Sequence, residues 1–310
     1  MYSTVYIAIW HSWLYALDAK TGQEKWSFHT VGRIGSSPAI ADGVVYVGGV
    51  IVMGPRFFSA IDLRTGQEKW TIKNDNTSFD SSPAVADGVV YVGSRHRLYA
   101  IDAKTGQEKW SFKIDGGTFS SPAVTGGVVY IGISGSAFDG WIYALDARTG
   151  QEKWTFETYS ATSSPAVVDS TVYIASLHSW LYALDAKTGQ EKWSFNTVGR
   201  IDSSPAIADG VVYVGGFIVM GPSFFSAIDL RTGQEKWTIK NDNASFDPSP
   251  AVAGGVVYVV NGDSRLYALD AETGQEKWRF KTDGAIVSSP AVAGGVVYFA
   301  STDGYLYAVR

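Results

Sequence analysis

Short runs of β-branched and aromatic residues alternate with polar punctuation along the whole chain, and no stretch sustains a 3.6-residue apolar period. Residues 81–113 show the pattern in full. Ser81-Ser82-Pro83-Ala84-Val85 opens the unit, Ala86-Asp87-Gly88 turns, and Val89-Val90-Tyr91-Val92-Gly93 runs extended. A polar turn, Ser94-Arg95-His96-Arg97, leads to Leu98-Tyr99-Ala100-Ile101-Asp102; after Ala103-Lys104-Thr105-Gly106-Gln107-Glu108, the run Lys109-Trp110-Ser111-Phe112 closes it. Four short β runs separated by Gly, Asp and Ser signals predict an antiparallel meander, and no helix is expected anywhere.

The unit repeats. Thr-Gly-Gln-Glu-Lys-Trp occurs seven times, ending at Trp26, Trp70, Trp110, Trp154, Trp193, Trp237 and Trp278, at spacings of 39 to 44 residues. A period near forty with turn signals inside each unit marks an architecture built one supersecondary unit at a time. The letters have physical jobs. Asp at the end of the third run accepts hydrogen bonds from backbone amides two or three residues on, and Gly supplies the positive φ of a tight turn. A buried indole hides about 150–250 Å², roughly 4–6 kcal/mol before entropy is subtracted, so the tryptophans are expected to dock each unit onto its neighbour.

Seven prolines (Pro38, Pro83, Pro122, Pro165, Pro205, Pro250 and Pro290) sit at the start of the first run of a unit. Proline cannot donate to a ladder and belongs on an edge or at a strand start. The first strand is therefore the inner edge of a blade, lining a channel with small Ser-Ser-Pro-Ala residues, and the architecture expected is an all-β β-propeller of four-stranded blades. A longer period is also present: Thr4–Phe28 matches Thr171–Phe195, Gly32-Arg33-Ile34 returns as Gly199-Arg200-Ile201, and Met53-Gly54-Pro55 returns as Met220-Gly221-Pro222. This duplication favours one 310-residue domain of eight blades with pseudo-twofold symmetry, opening on a second strand and ending on a third. Seven complete blades with a spare hairpin is the alternative. In the eight-blade reading the terminal blades leave open edges that invite pairing with another chain, and so a dimer.

The segment Ala100-Ile101-Asp102-Ala103-Lys104-Thr105-Gly106-Gln107-Glu108-Lys109-Trp110 resembles the tryptophan-docking motif of pyrroloquinoline-quinone-type repeat propellers, and seven copies carry the resemblance across essentially the whole chain. That family includes quinoprotein alcohol dehydrogenases, the propeller lipoprotein of the bacterial outer-membrane assembly machine, and many extracytoplasmic repeat proteins. The resemblance implies about eight blades and an extracytoplasmic parent, although Met1-Tyr2-Ser3-Thr4-Val5-Tyr6 reads as strand and not as a leader. It does not choose among the family's functions.

Composition narrows the choice. The formal net charge is −5 with Lys and Arg spread over the units, so the basic stripe of a nucleic-acid binder is missing. No apolar run is long enough to span a membrane as a helix. There is no cysteine, which removes disulfides, thiolate metal sites and the vicinal cysteine pair that the resemblance would require of a quinone enzyme. No unit breaks the repeat to offer a calcium cluster, and four histidines leave little room for a Ser-His-Asp constellation. The expectation is a protein without catalytic residues, cofactor or metal.

Loops after the second and fourth strands share one face and carry nearly all the variation. Two stand out, Val50–Phe58 with Met53, Phe57 and Phe58, and its counterpart Ile218–Phe225 with Met220, Phe224 and Phe225. They read either as long hairpins packed on their neighbours or as an apolar patch for a protein partner, to which methionine adapts well. Trp10, Trp13, Trp141 and Trp180 lie near the same loops and either pack over hairpins or stack on a sugar or peptide. His11 and His178 read as solvated loop histidines. Arg33, Arg200, Asp80, Asp202 and Asp247 sit near the channel mouth, where the arginines either grip an anion or pair with Asp80 and Asp247 as a structural ring. Three functions remain: a scaffold with a binding face for protein, peptide or glycan; a designed or recently amplified repeat with no evolved ligand; and a quinone-dependent dehydrogenase, which the missing cysteines and calcium ligands disfavour.

Overall fold

The architecture follows from a computed structural model describing residues 4–9, 12–51, 56–74, 79, 81–94, 96–113, 120–135, 139–159, 163–176, 178–197, 199–241, 246 and 248–310. Among these residues every regular element is a strand. The strands form eight separate antiparallel sheets, each a meander in which consecutive strands pair. The fold class is an eight-bladed β-propeller, and the seven-blade alternative is set aside.

Two compact units divide the chain, Met1–Glu157 and Thr158–Arg310. In the first unit, blade 1 comprises Thr4–Ile9, Trp13–Asp18 and Glu24–His29. Blade 2 comprises Ala39–Ala41, Val44–Val50, Arg56–Asp62 and Glu68–Asn74; blade 3, Ala84–Ala86, Val89–Gly93, Arg97–Asp102 and Glu108–Lys113; and blade 4, Ala123–Thr125, Val128–Ser134, Asp139–Asp146 and Glu152–Tyr159. In the second unit, blade 5 comprises Ala166–Val168, Thr171–Ala175, Trp180–Asp185 and Glu191–Asn196. Blade 6 comprises Ala206–Ala208, Val211–Phe217, Ser223–Asp229 and Glu235–Asn241; blade 7, Ala251–Ala253, Val256–Asn261, Arg265–Asp270 and Glu276–Lys281; and blade 8, Ala291–Ala293, Val296–Ala300 and Leu306–Val309. Among the described residues blades 1 and 8 each show three strands, the second to fourth in blade 1 and the first to third in blade 8. A two-residue strand, Arg33–Ile34 in blade 2 and Arg200–Ile201 in blade 6, pairs with the far end of each long second strand.

Adjacent residues of a strand point to opposite faces of its sheet, so each central strand feeds two interblade cores. Leu98, Ala100 and Tyr91 pack toward blade 4, while Val90, Val92 and Ile101 pack back on blade 2. The docking tryptophans lie at the margins of these cores. Trp154 is buried; the other six are half-buried, with part of each ring in solvent. Five of them donate the indole N–H to a carbonyl just past the third strand of the next blade: Trp26 to Leu63 at 3.1 Å, Trp70 to Ala103 at 3.0 Å, Trp110 to Ala147 at 3.0 Å, Trp193 to Leu230 at 3.2 Å and Trp237 to Ala271 at 3.2 Å. A second-strand tyrosine hydroxyl (Tyr6, Tyr46, Tyr91, Tyr173 or Tyr213) donates to the same oxygen. The carbonyl thus receives two donors, one on each of its lone pairs.

The receiving turn is held by its aspartate. Asp102 Oδ1 accepts from the Lys104 and Thr105 amides and the Thr105 hydroxyl, and Oδ2 pairs with Lys109 Nζ at 3.3 Å. The same bonds hold the carboxyls of Asp18 and Asp270 down at about 2; for Asp18 the Lys20 and Thr21 amides dominate, and for Asp270 the Lys277 ammonium comes first. Gly106, at φ +74, lies flat on the Trp70 ring, where a Cβ would come within 2.9 Å of Cδ2. Only glycine combines that φ with that approach.

Candidate functional site: the variable loop face

Hairpins joining second to third strands lie at one end of each blade, and here the structure separates the sequence's candidates. Phe57 and Phe58 have no accessible surface, and Phe224 and Phe225 retain about 1% of theirs. None of the four belongs to a surface patch. Phe57 packs with Leu14, Ile34 and Val47 between blades 1 and 2, and Phe58 with Tyr46, Phe79 and Val92 between blades 2 and 3. Phe224 and Phe225 repeat this on the two sides of blade 6. The reason lies across the strand pair, where Gly49 faces Phe57, Gly48 faces Phe58, Gly216 faces Phe224 and Gly215 faces Phe225. A Cβ on Gly48 would meet Phe58 at 3.2 Å and Phe79 Cβ at 2.9 Å. Glycine pairs on the second strand make the room that phenylalanine pairs on the third strand fill, a volume-conserving exchange visible in the sequence.

The apolar surface that remains in blade 6 is its hairpin tip. Ile218 N–H donates to Pro222 O at 3.0 Å and Gly221 N–H to Ile218 O at 2.8 Å, closing a tight loop that holds Met220 at φ +60. Val219 is 73% exposed and Met220 wholly so. Met53, its counterpart in blade 2, lies outside the described residues, as do Asp80, Asp247, Trp10 and His11.

The two mouth arginines are not equivalent. Both are exposed, on matching two-residue strands. Arg200 Nε donates to Asp202 Oδ1 at 2.7 Å, and its guanidinium sits 5.8 Å from the Phe217 ring centre. At the position of Asp202, blade 2 carries Gly35. Arg200 is thus paired within its own segment, with a residue the sequence reading had placed near the mouth but had not chosen as its partner.

The extra tryptophans pack. Trp141 is half-buried against the core between blades 3 and 4, with Gly135 so close that a Cβ there would fall 2.6 Å from the ring. Trp13 and Trp180 stack on Tyr15 and Tyr182 along their own strands, at 5.9 and 6.2 Å. Exposed His178 meets Tyr159 edge-on.

Two features went unread in the sequence. The first is a belt of serines. The first serine of each Ser-Ser pair accepts a second-strand amide, as Ser81 Oγ does from Gly93 N at 2.7 Å, and it is buried in every pair except blade 8's, where Ser288 is half-buried. The N–H of the second serine donates to the second serine of the next blade: Ser37 to Ser82, Ser82 to Ser121, Ser164 to Ser204, Ser204 to Ser249 and Ser249 to Ser289, all at 2.9–3.1 Å. The second feature is the departure of blade 7, which replaces the buried serine by Pro248 and brings in Asn261. Asn261 is fully buried, and neither carboxamide atom has a partner among the described residues. Nearby in sequence, Asp263 Oδ2 accepts from Arg265 Nη1 and the Tyr267 hydroxyl, both at 2.6 Å.

No group of three or more His, Cys, Asp or Glu side chains able to hold a metal ion gathers among the described residues, and the chain has no cysteine. The residues present do not fit a calcium-bound quinone. No helix is long and apolar enough to cross a membrane.

These are the features of a tryptophan-docked repeat propeller. The chain belongs to the family described as outer membrane protein assembly factor BamB, which it matches over residues 57–138, 138–220 and 223–310. No curated protein matches the chain. Among solved structures, BamB from Moraxella catarrhalis superposes with a TM-score of 0.79 at 22% identity, covering 99% of this chain and 91% of that one. The computationally designed Ika8 protein superposes with a TM-score of 0.83 at 16% identity, covering 100% and 93%. The quinohemoprotein alcohol dehydrogenase ADHIIG from Pseudomonas putida HK5 superposes at 0.78 with 17% identity, covering 98% and 69%. At these identities the likeness is one of fold, shared by an assembly factor, a designed protein and an oxidoreductase alike.

Proposed function

We propose that the chain is a non-catalytic propeller scaffold that binds a protein or peptide partner through the loop face, with the blade 6 hairpin tip as its anchor. The observation that carries this reading is the contrast within one segment: the phenylalanines flanking the tip are spent on the core, while Val219 and Met220 project into solvent. A hairpin held closed by its own backbone bonds presents an apolar pair at low ordering cost, and a methionine fits partners of varied shape. Membership of a family described by an assembly factor supports protein partners over small molecules. The absence of cysteine from the chain, and of a gathered ligand set among the described residues, supports a role without catalysis.

Near-verbatim repeats and the likeness to Ika8 favour a second reading, in which the chain is a designed or recently amplified repeat with no evolved ligand. Chemical crosslinking in a native extract separates the two. Under the first reading, Val219→Ser with Met220→Ser removes a specific crosslinked partner and leaves the unfolding midpoint unchanged. A partner retained by the double variant would overturn the anchor, and the absence of any partner would favour the second reading.

A further inference from the structure

Six blades tie the far end of the second strand in one way. A serine Oγ accepts the amide twelve residues on: Ser36 from Gly48, Ser81 from Gly93, Ser120 from Gly132, Ser163 from Ala175, Ser203 from Gly215 and Ser288 from Ala300, all at 2.7–2.9 Å. In blade 7 the same two positions are Pro248 and Val260. Proline has no hydroxyl, so the Val260 amide loses the acceptor that its six counterparts use. Val260 is buried, and a buried N–H requires an acceptor from somewhere.

The hairpin that follows adds three more polar groups. Asn261 is wholly buried, and both its Oδ1 and its Nδ2 lack a hydrogen-bond partner among the described residues. Its side chain lies on the same sheet face as Val259, which packs between blades 6 and 7 with Phe225 and Phe246. Size does not demand an asparagine, because blade 4 fills the same position, one past Gly132, with the equally buried Ile133. In the hairpin turn, Asp263 Oδ2 accepts from Arg265 Nη1 and the Tyr267 hydroxyl, while Oδ1 is buried without a partner. Arg265 faces Asn261 across the strand pair, and Tyr267 faces Val259. These groups therefore gather within one hairpin. Buried polar groups in folded proteins are paired, either with protein or with ordered water.

We propose that the blade 7 hairpin is a hydration site, in which enclosed water takes the place of the serine hydroxyl that Pro248 removes. The chemistry of the four groups selects the occupant. Asn261 Oδ1 and Asp263 Oδ1 require a donor, whereas the Val260 N–H and Asn261 Nδ2 require an acceptor. A cation would meet only the two oxygens, and the Asp263 charge is already taken by Arg265 at 2.6 Å. An anion would meet only the nitrogens and would lie against a buried carboxylate. Water donates twice and accepts twice, and it is small enough for a polar site closed to bulk solvent. Pro248 and Asn261 then form a single exchange: a hydroxyl carried by the chain is replaced by one taken from solvent and held by a carboxamide. The site is independent of the loop-face reading and stands or falls without it.

The test uses the 310-residue chain in two forms, unaltered and with Pro248→Ser and Asn261→Ser together, the serines that blades 3, 5 and 8 carry at both positions. A crystal structure of the unaltered chain that shows ordered solvent should place a water oxygen within hydrogen-bond distance of Val260 N and of the Asn261 carboxamide. The double variant should lose it, and oxygen-17 relaxation dispersion should count fewer long-lived waters in the variant. Hydrogen exchange gives an independent reading. Bonded to water instead of serine, the Val260 amide should exchange at least about tenfold faster than the Gly93 and Gly215 amides, and the variant should bring it level with them. A protein atom bonded to the Asn261 carboxamide would overturn the proposal, as would protection of Val260 equal to that of Gly215. So would a density peak ringed by oxygens alone that strengthens with rubidium, which would assign the site to a cation. Should the double variant fail to fold, the solvent structure and exchange rate of the unaltered chain decide the matter on their own.

Discussion

Gly106 and Gly22 occupy the same turn of the same repeat, and the structure makes opposite demands on them. Both lie in the left-handed region, at φ +74 and +71. A Cβ on Gly106 would come 2.9, 3.1 and 3.2 Å from three carbons of the Trp70 ring, whereas a Cβ on Gly22 would meet nothing within 4 Å. Replacing either by alanine costs about 1–2 kcal/mol for an L residue at that φ. At Gly106 the indole must also give way. Overpacking adds about 1–3 kcal/mol, and a displaced Trp70 risks its bond to Ala103 O, about 1 kcal/mol more. Gly106→Ala should therefore lose about 3–5 kcal/mol and Gly22→Ala about 1–2 kcal/mol, with the backbone contribution cancelling in the difference. Urea titration followed by far-ultraviolet circular dichroism gives both values, and a double-mutant cycle sharpens the comparison. Trp70→Ala combined with Gly106→Ala should be far from additive, whereas Trp70→Ala with Gly22→Ala should add within about 0.5 kcal/mol. Equal losses at the two glycines would refute the reasoning, because the ring would then not bear on the turn.

Two further predictions test the core and the turns. Phe225→Ala should cost about 3–5 kcal/mol, the range for large buried aromatics; a cost below 1 kcal/mol in the same titration would return this residue to the surface. The turn carboxyls of Asp18 and Asp270 are held at about 2 when folded, against about 3.9 when unfolded. Between those values the unfolded chain binds more protons, so their contribution to stability is complete above about pH 4 and is lost as pH falls toward 2. Asp270→Asn should flatten the fall in urea midpoint across that window, and an unchanged slope would mean that the turn carboxyl is not linked to folding.

Strand order, blade number and the three-stranded ends were legible in the sequence because each rests on local chemistry: proline at strand starts, Asp-x-x-Thr-Gly turns, and β-branched runs between them. The docking role of the tryptophans was legible too, though their half-exposure was not, since nothing in a repeated hexapeptide tells how far a ring slides under the next blade. The Phe-Phe segments were left open between packed hairpin and surface patch because hydrophobicity along one strand was weighed without its partner. Gly48-Gly49 and Gly215-Gly216 face those phenylalanines across the pair, and reading both strands together places the rings inside. The pairing of Arg200 with Asp202 is a two-residue contact open to sequence inspection, whereas the serine belt joins residues 39 to 45 apart. The buried Asn261 amide was invisible as a site, since polar residues at hairpin ends are ordinarily wet.

The clamp between blades runs one way around the chain: tyrosine and tryptophan reach forward, and the Asx turn receives from behind. The repeats that meet at these joints are therefore key and lock of the same cut. A unit copied or deleted in frame leaves a joint identical to the one it interrupts, with the same two donors meeting the same carbonyl. Recombination between repeats then changes the number of blades without creating a mismatched interface. A four-blade block can be doubled, as the correspondence of Thr4–Phe28 with Thr171–Phe195 records, while sequence drift remains concentrated in the hairpins that no neighbour needs to recognise.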